Sequence, residues 1–68
     1  NLRYNLACAM VELHDTDAAL ELLAPVLAVA QQPNVSWLHA DNSFDPIRED
    51  PRFRAMVAEA EARLATAT

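Results

Sequence analysis

The run Leu2-Arg3-Tyr4-Asn5-Leu6-Ala7-Cys8-Ala9-Met10-Val11-Glu12-Leu13-His14-Asp15-Thr16-Asp17-Ala18-Ala19-Leu20-Glu21-Leu22-Leu23 carries two helical periods with one polar break between them. Leu2, Leu6, Ala9, Met10 and Leu13 keep the i, i+4, i+7, i+8, i+11 spacing of a single helix face, inside about 100° of arc. Tyr4, Ala7, Cys8 and Val11 form a second apolar stripe roughly opposite. A helix apolar on two sides must be covered twice. The leucine stripe is expected to meet the second helix. The Tyr4/Cys8/Val11 stripe is expected to face outward, towards a neighbour outside these residues. His14-Asp15-Thr16-Asp17 offers several N-cap side chains, so a tight turn and a new helix start fall there.

The second helix is predicted from Ala18 to about Gln31, with Pro25 inside it. Proline removes one backbone donor and crowds the carbonyl of Glu21, so a kink near Leu22 is expected rather than an end. Gln31-Gln32-Pro33-Asn34 closes this hairpin. Residues 35–50 then show too little period for a long helix, and read as a linker pinned by buried aromatics, Trp37 and Phe44. Two Asp-Pro steps follow, Asp45-Pro46 and Asp50-Pro51, each placing a cap acceptor before a proline suited to a first helical position. The first should open a single turn, Pro46 to Glu49. The second should open a last helix, Pro51 to about Ala65, burying Phe53, Met56, Val57, Ala60 and Leu64 with a Glu59–Arg63 pair outside. The expectation is an all-α chain of one domain: a helical hairpin over 1–34, an aromatic linker over 35–50 and a closing helix over 51–68.

Composition removes most alternatives. The chain has 68 residues and no glycine, which rules out a glycine-rich phosphate loop or a dinucleotide fingerprint. Ten carboxylates against five cations give a net charge of −5, so no basic footprint for nucleic acid exists. The single cysteine, Cys8, allows no internal disulfide and fits a reducing, cytoplasmic setting. No apolar run reaches the ~18 residues of a membrane span. The opening at Asn1, already within a helical pattern, reads as part of something longer.

Catalytic chemistry finds no constellation. Glu12, His14, Asp15 and Asp17 cluster at a helix end, where such residues cap and solvate, and neither histidine has a strong ligand at i, i+4 in a helix. His39 and Asp41 form a loop pair. Cys8 has no orienting group or oxyanion donors and reads as a small packing residue. Neither a metal nor a cofactor is called for.

Tyr4-Asn5-Leu6-Ala7, Asp15, Ala19-Leu20, Leu23 and Leu27 resemble the helix-turn-helix pattern of the tetratricopeptide repeat, whose period is about 34 residues. Ala7 and Ala19 fall where each helix of that repeat takes a small residue. His14 stands where it usually has glycine, Val26 where it usually has alanine, and Pro25 is unusual. Trp37-Leu38 with Phe44-Asp45-Pro46-Ile47-Arg48-Glu49-Asp50-Pro51-Arg52-Phe53 resembles the closing segment of bacterial tetratricopeptide arrays. The resemblance implies a C-terminal repeat plus capping helix that binds a peptide or partner helix, or self-associates. It equally allows a structural cap, or the regulatory appendage of an enzyme such as a class III nucleotide cyclase. It implies that Asn1, Tyr4, Cys8, Val11 and Glu12 face the groove; a preceding repeat covering that stripe is the other reading.

Overall fold

The computed structural model describes residues 2–66 and is all-α; among these residues there is no strand. The elements are α1 (Leu2–Glu12), α2 (Thr16–Ala28), α3 (Gln32–Ala40), a 3-10 helix (Asn42–Ile47) and α4 (Pro51–Thr66). No helix among them is long and apolar enough to cross a membrane.

The α1–α2 turn satisfies the carbonyls that a helix end leaves orphaned. His14 N–H donates to Val11 O at 3.0 Å and Asp15 N–H to Met10 O at 2.8 Å, with His14 at φ 62°. That bond pair is the Schellman arrangement, whose left-handed position favours glycine. A histidine held there costs roughly 1–2 kcal/mol of backbone strain. Asp15 then caps α2, its Oδ1 accepting from Ala18 N–H at 3.1 Å. A connection this short makes the two helices adjacent partners, and α1 and α2 form the most extensive contact in the molecule. Ala7 and Ala19 are both fully buried, as their small size requires where backbones approach closely.

Proline 25 stays inside α2, which ends at Ala28 rather than near Gln31. Val29 N–H closes it onto Val26 O at 3.4 Å. The earlier end releases Gln31 and Gln32 to start α3, a full helix where a linker was expected. Pro33 sits in its first turn, where a missing N–H costs nothing. Gln31 N–H donates to Asn34 Oδ1 at 3.1 Å. Only Val35 and Leu38 are buried from this helix, too few for a period to show in the sequence. Two residues after Val35, about 200° round the helix, Trp37 points away from the core and is 66% exposed. The expected burial of Trp37 is therefore corrected.

The short turn also starts earlier than expected. Asp41, not Asp45, caps it, its Oδ1 accepting from Ser43 N–H at 2.9 Å, so the 3-10 helix runs Asn42–Ile47 with Pro46 inside. Asp45 instead binds Arg48 Nε at 2.7 Å. At the second step the expectation holds: Asp50 Oδ1 accepts from Arg52 N–H at 2.8 Å and α4 begins at Pro51. Phe53, Val57 and Ala60 are buried, with Met56 and Leu64 packed against the core. Arg63 does not pair with Glu59. Its Nη2 reaches across to Leu27 O at 3.0 Å and Ala30 O at 2.6 Å, capping the last turn of α2.

The aromatic spine lies at the centre. Phe44 is fully buried, edge-on to Tyr4 at 5.3 Å and stacked on Phe53 at 6.0 Å. It joins α1 to α4 through the 3-10 helix, while α4 itself rests on α2 and α3.

Candidate interaction surfaces

The two faces of α1 are used the opposite way round from the sequence expectation. Val11 is buried, and Tyr4 and Cys8 are half-buried and packed against the core. The 3-10 helix covers this stripe from within the chain. Of the residues placed in a groove, Val11 cannot reach a partner, Glu12 is exposed, and Asn1 lies outside the described residues. The leucines of the other stripe are the open ones, Leu2 75% exposed, Leu6 42% and Leu13 70%, while Met10 beside them packs against the core. The physical reason is size. Ala7 and Val11 let α1 settle deeply on its neighbours, and a face of leucines would hold it further away.

Tyr4 and Cys8 instead belong to a polar latch. Tyr4 Oη donates to Asp41 Oδ2 at 2.5 Å. The other oxygen of Asp41 accepts from Ser43 N–H, and its carbonyl accepts from Arg48 Nη2 at 2.5 Å. The same Nη2 reaches Leu38 O at 3.1 Å, so Arg48 closes the end of α3. The Tyr4 hydrogen bond, with Ser43 N–H, holds the Asp41 carboxyl below its ordinary range. Burial and then the Asp41 carboxylate push the Tyr4 phenol well up. Burial likewise raises the Cys8 thiol, which keeps it protonated and a poor nucleophile. Among the described residues no three histidine, cysteine or carboxylate side chains converge as a metal site. The latch can hold helices together; nothing in it poises a group for reaction.

This latch has a pH signature with two arms. Asp41 has a lowered folded-state pKa, so its contribution is present above the ordinary carboxylate value of ~3.9 and lost as pH falls through the folded value. Tyr4 has a raised one, so its contribution is complete below pH ~10 and lost as pH rises from there. Cys8 adds to the alkaline arm in the same sense. Tyr4→Phe is expected to cost about 1.5 kcal/mol at neutral pH, the low end for a bond to a charged group, because both partners are partly open to water. It should also flatten both arms. Tyr4 is the sole tyrosine, so urea midpoints across pH read the change directly. Identical pH profiles for parent and variant would show that the bond does not form in solution.

A second surface adjoins the first. Val26, Val29 and Trp37 border an open groove of about 380 Å³ floored by Leu23 and Leu27, with the exposed Asn5 on its rim. Val29 and Trp37 are largely exposed beside it. Its rim residues carry no charge. The exposed charged side chains lie elsewhere, in pairs such as Arg52–Asp17 at 2.6 Å and Arg54–Glu49 at 3.4 Å. His39 approaches Glu61 at 3.6 Å across α3 and α4. No protein-family model, curated protein or solved structure matches this chain.

Proposed function

We propose that this chain is a non-enzymatic protein-interaction module: a tetratricopeptide-like terminal repeat of a larger protein, with α4 as its closing helix. The observation that carries the reading is the row of exposed leucines on α1 and the turn that ends it, because monomeric proteins rarely leave large apolar surface open without a partner for it. The resemblance of residues 1–34 to the repeat supports it, as does the pairing of two helices that bury Ala7 and Ala19. Docking moves from the Tyr4/Cys8/Val11 side to Leu2, Leu6 and Leu13, where an added helix would lie along α1. A polar outer face on α4 suits the closing helix of a stack.

The test is thermodynamic. Repeats that stack share an interface and unfold together. Joining one consensus tetratricopeptide repeat ahead of Leu2 should give a single transition, at a higher midpoint than either part alone. Two independent transitions at the midpoints of the separate parts would sink the repeat reading.

A further inference from the structure

Resting on the reading of α1 as a docking helix, we propose that, where no preceding repeat covers it, the partner for its open face is α1 of a second copy of this chain, packed antiparallel. Leu2, Leu6, Ala9 and Leu13 follow a 4-3-4 spacing, the seam of a short coiled coil, and none of the four is buried. Turned antiparallel about a two-fold axis, the seam matches itself. Leu6 falls opposite Ala9 of the second copy, a large side chain against a small one, and Leu2 falls opposite Leu13. Such an isologous contact closes on two copies and leaves no leucine over.

The flanks decide the direction. In antiparallel pairs each flank of the seam meets the same flank of the other helix. Asn5 and Glu12 lie on one flank, and both are exposed. They come within one helical turn of each other across the axis, so the Asn5 amide can donate to the Glu12 carboxylate twice, once on each side. The opposite flank carries Arg3 and Met10, and the antiparallel offset keeps the two Arg3 charges at opposite ends. A parallel pair would place both Arg3 residues at one end and bring Asn5 against the Arg3/Met10 flank instead. Flanking polar residues set partner orientation in this way.

The seam is only one short helix long, well below the ~800 Å² per partner of a standard interface. Association is therefore expected to be weak, on the order of 0.1–1 mM. Sedimentation equilibrium of the 68-residue chain up to roughly 1 mM should show a monomer–dimer equilibrium. Leu6→Glu should abolish it while circular dichroism stays that of the parent. Asn5→Asp should weaken it several-fold by setting a carboxylate against Glu12, and Asn5→Asp with Glu12→Lys should restore it. A strictly monomeric parent at the highest concentration overturns the proposal, and leaves the appended-repeat test to judge the docking helix separately. A dimer that survives Leu6→Glu overturns it as well, by placing the contact elsewhere. A dimer that Asn5→Asp strengthens overturns the antiparallel arrangement, because that result belongs to a parallel pair.

Discussion

Replacing Phe44 by alanine should abolish cooperative unfolding. The ring is fully buried and is the contact through which Tyr4 of α1 and Phe53 of α4 meet. Removing a buried phenylalanine costs about 3–5 kcal/mol in lost transfer energy and cavity. A core in a chain of this size supplies roughly the same amount in total. The longest helix has 16 residues and the others 13 or fewer, lengths that are marginal in isolation. Loss of the spine should thus take most of the helicity with it. Circular dichroism against urea reads the result. Trp37→Ala is the control: a larger ring, but 66% exposed, so its removal should cost only about 1 kcal/mol, the scale of its one side-chain hydrogen bond to Tyr4. A Phe44→Ala chain unfolding cooperatively within about 1 kcal/mol of the parent would show that the closing segment is not docked through this residue.

That control marks where the sequence could be read and where it could not. Helix starts set by local chemistry are legible, because Asp15 and Asp50 need only their next few residues to act as caps. The inward face of α4 is legible for the same reason, since one apolar stripe stands against a polar one. Helix α3 was not. It buries only Val35 and Leu38, and one turn of period looks like none. The misplaced Trp37 follows from that miss alone: once residues 32–40 are helical, Val35 and Leu38 fix its outward direction.

The polar contacts that position the surfaces had no signal at all. Tyr4 and Asp41 are 37 residues apart, and Arg63 binds backbone carbonyls 33 and 36 residues back. A carbonyl acceptor is present at every residue, so no side-chain pattern announces which one an arginine will reach. His14 is intermediate. The turn was readable from Asp15, but that a histidine would take the left-handed position is seen only in its φ of 62°.

The two faces of α1 were the hardest to rank, and one substitution tests the ranking. Val11→Glu should unfold the chain. Val11 is 3% exposed within the core cluster, and among the described residues no polar or charged residue is buried with it. An ionised carboxylate placed there costs several kcal/mol, or must take up a proton to remain buried. Either route exceeds what the valine side chain contributed, about 1.5–3 kcal/mol. Leu6→Glu makes a comparable change in helix propensity within the same α1, at a position that is 42% exposed. At micromolar concentration it should cost about 1 kcal/mol, an ordinary surface change. Thermal melts of the two variants separate the possibilities without any partner present. A folded Val11→Glu beside an unfolded Leu6→Glu would turn α1 over, return the Tyr4/Cys8/Val11 stripe to solvent, and remove the leucines as a docking face. The reverse outcome leaves the leucine row as the one broad apolar side of α1 that a partner can reach.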